Sequence, residues 1–197
     1  MAFAHKPGEC LPSAYVEAGV YRGTVGDSDS LVHAEAIDGP VDRQIDLGVA
    51  LVERFMLKPA RKKVGRGDFP QYSLYAVYEA IVSAVIHRDY LISGSKIRLF
   101  LFDDRLELAS PSGLSKMLTL ETLPFRQFTR NQFLVSFLSR LRSRETGRAY
   151  IEARGEGVRR IVAESVQHSG REPEYRLLDD ELLLTIWAKP SPHAGAE

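Results

Sequence analysis

The feature that most constrains the fold is an almost unbroken apolar stretch, residues 76–87, that carries polar residues at a regular spacing. Glu79, Ser83 and His87 follow one another at intervals of four, so on an α-helix they lie along one face. Most other positions are alanine, valine or isoleucine, and a helix that is apolar nearly all round is typical of a domain interior. The stretch therefore predicts a central helix, about 72–87, with one polar stripe.

The polar stripe has two interpretations that the residues alone leave open. A carboxylate is costly to bury without partners, so Glu79 indicates either an internal hydrogen-bond network or a polar cavity that takes a ligand. A carboxylate near Ser83, His87 and Asp89 has the groups needed to orient water or to help hold Mg²⁺. Alternatively, the His-Arg-Asp segment only caps the helix, because His87 and Arg88 are favourable beside its carbonyl end.

Composition and charge limit the class of protein. A chain of 197 residues with 44% hydrophobic and 26% charged residues is expected to form one globular domain, with at most a small addition. The formal net charge is zero, which favours no polyanionic partner, although residues 126–160 hold nine arginines against three glutamates. Cys10 stands alone, and no apolar run is long enough to cross a bilayer. We therefore expect a cytoplasmic protein that does not enter the membrane.

Local patterns along the chain predict a mixed sheet with helices packed on one face. We expect Phe133 and Val166 on the buried faces of their helices. The predicted elements are an edge strand within 13–23, a helix over 41–57, a basic linker over 58–72, the central helix, a hairpin over 96–110 that turns at Asp103 and Asp104, an amphipathic helix within 131–144, a helix within 155–169 that ends at Gly170, and a last strand over 179–187.

Two further segments have the composition of ligand sites. In ARGEGVRRI, residues 153–161, Gly155 and Gly157 open a helix, where backbone N–H groups can meet an anion, and Arg154 adds a charge that suits phosphate. In LELASPSGLS, residues 106–115, a strand runs into a turn that can present hydroxyl and backbone groups to a flat ligand. Both patterns also occur for purely conformational reasons. No cluster with metal-ligand spacing is present in the sequence.

Several motifs taken in order resemble one known family. The segments that carry the resemblance are AVIHRDY, SGSKIRLFLFDDRLELASPSGL, TRNQFL, YIEARGEGVRRI and LLLTIW. They are similar to the C-terminal region of transcriptional regulators and RecG-like ATP-dependent DNA helicases, which is related to the GHKL fold of gyrase, Hsp90, histidine kinases and MutL. The resemblance implies a two-layer α/β sandwich of the GHKL, or Bergerat, type, with a mixed, mainly antiparallel sheet and helices on one face.

The resemblance also implies a division of the chain. Residues 1–24 resemble the last strand of the Schlafen AlbA-type domain that usually precedes this family. Residues 25–69 would form a connecting loop, helix and basic linker. The GHKL-like domain would occupy 70–188, and 189–197 would be a flexible tail.

The resemblance assigns expected roles to individual residues. Glu79 stands where the general base for water sits, and Ser83 stands where the fold has the asparagine that binds Mg²⁺. The turn from Ser110 to Gly113 corresponds to the place where an aspartate reads the adenine amino group. The remaining expected ligand contacts are His87, Asp89, Arg154, the lid glycines Gly155 and Gly157, and Thr185 on the last strand.

Two positions depart from the family pattern, and they shape the expected function. Ser83 is shorter than asparagine, and Ser110 cannot replace the adenine-reading aspartate. We therefore expect a degenerate site that binds ATP or ADP, with or without Mg²⁺, in a bacterial transcriptional regulator, and hydrolysis is left open. The alternative is a non-catalytic module for dimerisation or for positioning a DNA-binding partner domain. Direct DNA binding through the arginines of 126–160 is the least favoured hypothesis, because the chain as a whole is neutral.

Overall fold

A computed structural model of the chain describes residues 7–56, 70–113, 119–125, 129–143, 147, 149–151 and 156–190. These residues form one sheet, four α-helices and a short 3-10 turn at Pro7–Glu9. The helices are α1 (Val41–Phe55), α2 (Leu74–His87), α3 (Gln132–Leu138) and α4 (Gly157–Ser169), and the strands are β1 (Val16–Tyr21), β2 (Leu31–Ile37), β3 (Ile97–Leu101), β4 (Arg105–Pro111), β5 (Glu174–Leu178) and β6 (Glu181–Trp187).

The six strands form a single mixed sheet in the order β2-β1-β3-β4-β6-β5. The β1–β3 pair is parallel, and every other neighbouring pair is antiparallel. The parallel pair arises because α1 and α2 lie between β1 and β3 in the chain and cross over one face of the sheet. The predicted two-layer α/β sandwich with a mainly antiparallel sheet is confirmed.

The core lies between the sheet and the helices. Alternate residues of each strand point towards the helices, as the two-residue period of a strand requires. The central helix α2 packs between α1 and α4, and its buried positions meet the apolar face of the sheet. The strand side chains in this core are those of Val16, Ala18, Val20, Ile37, Ile97, Leu99, Leu101, Leu106, Leu108, Leu184 and Ile186.

The ends of the helices follow from their sequences. α2 begins after Ser73, whose hydroxyl accepts a hydrogen bond from the backbone N–H of Ala76 at 3.4 Å. α4 ends at Gly170, which has a φ of 76° and therefore adopts the left-handed conformation that glycine tolerates best. The hairpin between β3 and β4 turns at Asp103 and Asp104, as predicted.

Several sequence predictions are wrong in detail. The strand expected at an edge, β1, is an interior strand, because β2 and β3 flank it. The exposed strands β2 and β5 were not predicted. The amphipathic helix α3 is shorter than expected and leaves Phe133 exposed, and Val166 of α4 is also exposed.

Two other predictions concern the chain as a whole. β1 lies in the same sheet as β3 and β4, whereas residues 1–24 were assigned to a remnant of another domain, and that division of the chain stays a prediction. No helix in the described ranges is long and apolar enough to span a bilayer.

Candidate functional site

The polar stripe of α2 lies on a face of that helix that is only half-buried. Glu79, Ser83 and His87 are half-buried, and Tyr75 continues the same four-residue spacing towards the start of the helix. The opposite side is fully packed, with Ala76, Val77, Ala80, Ile81, Val82, Val85 and Ile86 all buried. The stripe is therefore an accessible polar surface on an otherwise buried helix.

Glu79 meets the first turn of α4. A Cβ atom placed on Gly157 would lie 3.3 Å from Oε2 of Glu79, so the absence of a side chain at Gly157 lets the carboxylate approach the helix start. Nη1 of Arg160 lies 3.9 Å from Oε1 of Glu79, and the same nitrogen donates a hydrogen bond to the hydroxyl of Tyr75. The Glu79 side chain keeps 18% of its surface exposed, so the arginine approaches the carboxylate without sealing it.

The other end of the stripe is built by an ion pair from a distant part of the chain. Nη1 of Arg130 donates to Oδ2 of Asp89 at 2.5 Å, and its Nη2 donates to the carbonyl of Gly113 at 2.5 Å. Burial and the nearby charge of Arg130 lower the pKa of His87. The neutral form of His87 is therefore favoured. The same arginine joins Asp89 to Gly113 at this end of the stripe.

Arg88, between His87 and Asp89, points away from the stripe and is sealed in the protein at 1% exposure. Its Nη2 donates to the carbonyl of Ser95 at 2.7 Å and to the carbonyl and hydroxyl of Ser13 at 3.2 and 3.1 Å. Nε and Nη1 have no hydrogen-bond partner in the described structure, and burial lowers the pKa of the guanidinium. Arg88 thus fixes the turn after α2 against the segment before β1.

Ser110 lies at the end of β4, with its side chain directed at α2. Its hydroxyl donates to the carbonyl of Ala84 at 3.0 Å, and the residue is buried. This bond fastens the last turns of α2 to the sheet. The position where the family resemblance places an adenine-reading carboxylate is therefore occupied by a short donor that is already engaged within the protein.

Thr185 lies on the other face of the sheet. It pairs with Glu107 of β4, whereas Ser110 pairs with Leu182, and directly paired residues point to the same face. Its hydroxyl is buried without a hydrogen-bond partner among the described residues. The structure therefore brings together Glu79, Ser83, His87, Asp89, Gly113 and Gly157, with Ser110 beneath them, and separates Thr185 from this group. The predicted contacts Arg154 and Gly155 lie outside the described residues.

Three residues of this site were missed in the sequence. Tyr75 shares the four-residue spacing of the stripe, so the signal for it was present. Arg130 and Asn131 belong to the TRNQFL motif, but their contacts are tertiary and no local pattern reports them. Nδ2 of Asn131 donates to the carbonyls of Ile86 and Arg88 at 2.6 and 2.9 Å, which closes the end of α2.

The residues fit one half of a nucleotide better than the other. The N-terminal turn of α4 and Arg160 provide positive potential beside Gly157, which suits a phosphate. The nucleobase half lacks its carboxylate, since Ser110 is buried and engaged. No group of three or more His, Cys, Asp or Glu that could hold a metal occurs within the described ranges, so Mg²⁺ would depend on Glu79 and on oxygens of the ligand itself.

Comparisons with known proteins agree with the fold. The sequence matches a family profile described as "Putative ATP-dependent DNA helicase recG C-terminal" over residues 94–186, a region that begins after α2 and its stripe. No curated protein matches the chain significantly.

Among solved structures, the chain is similar to the DIP2311 protein from Corynebacterium diphtheriae, a structural-genomics target, with a TM-score of 0.68 and 21% identity. The similarity covers 91% of this chain and 35% of that protein. Because the identity is only 21%, it concerns the fold alone. Over residues 94–186 the chain is accordingly similar to the ATPase-like family of the RecG C-terminal type, as the sequence motifs predicted.

Proposed function

We propose that the surface between the stripe of α2 and the first turn of α4 binds an adenine nucleotide, ATP or ADP, as a regulatory ligand. The observation that carries this proposal is the approach of Glu79 to Gly157 and Arg160 on a half-buried polar face of an otherwise buried helix. The family match supports an ATPase-like domain. Nucleotide binding would set the activity of a cytoplasmic transcriptional regulator that contacts DNA through a fused or partner domain.

The chemistry of the side chains indicates binding without efficient turnover. Glu79 is the candidate general base, and Arg160, whose Nη1 lies 3.9 Å from its carboxylate, would be drawn towards phosphate when a ligand is present. Mg²⁺, when bound with the ligand, supplies charge neutralisation for phosphate oxygens. Ser83 provides one neutral hydroxyl in place of an amide, and Ser110 is committed to Ala84. Each lost charge-assisted bond weakens binding by roughly ten- to a hundredfold.

Isothermal titration of the full chain with ATP and ADP, with and without Mg²⁺, tests the proposal. We expect weak but saturable binding, and we expect Arg160→Met to weaken it by about tenfold because one phosphate contact is lost. Ser83→Asn is expected to strengthen the Mg²⁺-dependent part. Arg176→Met on the exposed strand β5 is the matched control and should leave binding unchanged.

The alternative function is a non-catalytic module for dimerisation or for positioning a partner domain. It is favoured by a separate observation: both edge strands of the sheet are exposed along most of their length. Absence of heat and of any thermal shift at millimolar nucleotide, in a well-folded protein, would reject the nucleotide site and favour this module.

A further inference from the structure

We propose that β2 is a self-pairing edge, at which a second copy of this chain adds its own β2 in antiparallel orientation. β2 is the first strand of the sheet, and no described strand covers its outer side. All its residues except Ile37 are exposed or half-exposed, and Leu31 and Val32 keep 41% and 54% of their surface accessible. Strand addition to such an edge satisfies its free backbone groups.

The sequence of β2 is complementary to itself in one register. Pairing two copies antiparallel with Ala34 on the two-fold axis places His33 opposite Glu35 of the second copy, and Glu35 opposite its His33. The regular part of β2, from His33 to Ile37, contains the three central positions of this register. The irregularity between the partners of Val20 and Tyr21 lies at its start, beside Val32. A two-fold interface must be self-complementary, and this register meets that requirement.

The two polar residues are already held in place. His33 stacks on Phe55 at a centroid distance of 4.7 Å, and its Nε2 lies 3.3 Å from Oε2 of Glu35 in the same strand. In the proposed pair, imidazoles and carboxylates would alternate across the axis. Since both side chains project from one face of the strand, they would meet their counterparts without a change of backbone.

β2 also lacks the two residue types that most directly prevent an edge strand from pairing. Lysine and proline commonly block such edges, and β2 contains neither. Its one inward-facing charge, Glu35, is paired with His33 of the same strand. The opposite edge, β5, has alternating charges as well, but it is shorter and follows Pro173, which has no N–H to donate. A β5 pair centred on Tyr175 would set Pro173 against Leu177, so β2 is the better edge.

Sedimentation velocity over a concentration series tests the proposal. The wild-type chain is compared with variants in which the charges at positions 33 and 35 are changed. The wild-type chain should form a weak dimer, as expected for an interface of one strand per copy. His33→Glu places carboxylates opposite each other at two symmetric positions and should weaken the dimer by about tenfold. The double variant His33→Glu/Glu35→Lys restores opposite charges in the same register and should recover the wild-type dissociation constant.

The controls separate this pairing from other contacts. Arg176→Glu changes a charge on β5 and should leave the dimer intact. A wild-type chain that stays monomeric throughout the series, a dimer that Arg176→Glu weakens and His33→Glu does not, or a double variant that fails to recover would each overturn the proposal. The test is independent of nucleotide, so its failure leaves the α2–α4 site unaffected.

Discussion

Three neighbouring side chains at the end of α2 have three different environments. His87 lies half-buried on the stripe, Arg88 is sealed beneath the turn, and Asp89 forms an ion pair with Arg130. α2 ends at His87, and Arg88 has a ψ of 135°, so the chain leaves the helical path here and directs the three side chains to different surroundings. His87, Arg88 and Asp89 therefore act in three separate environments, although they are consecutive in the sequence.

Protonation of His87 should oppose folding. Burial and Arg130 lower its pKa in the folded state, whereas the unfolded chain has the ordinary value of about 6.5. The unfolded state therefore binds the proton first as pH falls, so the stability contributed by neutral His87 is complete above about pH 6.5 and is lost on acidification. We expect His87→Gln to reduce the fall in unfolding free energy between neutral and mildly acidic pH, measured by urea denaturation.

The cause of the low pKa can be checked separately. Arg130→Gln removes the nearby charge and should raise the pKa of His87 in an NMR titration of the folded protein. A His87 pKa at or above its ordinary value in the wild-type chain would contradict both the burial and the placement of Arg130.

The two glycines at the ends of α4 should respond differently to alanine. Gly170 has a φ of 76°, so Gly170→Ala should lower the unfolding free energy by about 1 kcal/mol. Gly157 has an ordinary helical backbone, but an added Cβ would press on Glu79 at 3.3 Å. Gly157→Ala should therefore displace the carboxylate and alter nucleotide titration with little loss of stability.

The pair also provides its own control. Denaturant melts report stability, and titration calorimetry reports the site. The prediction is contradicted if Gly157→Ala lowers the unfolding free energy as much as Gly170→Ala does, or if it leaves nucleotide binding unchanged. The contact between Gly157 and Glu79 would then have no role in binding.

Elements with a strong local pattern were predictable from the sequence, and exposed ones were not. α2 and the β3–β4 hairpin are dictated by their own periodicity and turn residues. β2 is exposed on almost every residue, so it lacks the alternation that marks a half-buried strand. The length of α3 also depends on tertiary packing.

The site was predictable only in part, for a related reason. The spacing of Glu79, Ser83 and His87 is a property of one helix and could be read directly. The pairing of Arg130 with Asp89 joins residues 41 positions apart, and the face of Thr185 depends on the register between β4 and β6. Such relations are set by how elements pack, so local patterns do not contain them.

The complete sheet depends on the N-terminal third of the chain. A shortened chain that begins at residue 70 lacks α1, β1 and β2, which leaves β3 with an open edge and removes buried residues such as Ile45 and Val52. We expect this shortened chain to show no cooperative thermal transition by circular dichroism, in contrast to the full chain. A cooperative transition would establish 70–188 as an independent domain.

The parallel pairing of β1 with β3 has a consequence for biosynthesis. β1 leaves the ribosome before its parallel neighbour β3, whose paired residues lie 81 positions further along the chain, beyond both α1 and α2. Until α1, α2 and β3 have been translated, the β1–β2 hairpin has an uncovered apolar face and an unpaired inner edge, and such surfaces attract chaperones or neighbouring nascent chains. The β1–β2 hairpin is thus exposed to misassociation while the rest of the sheet is being made.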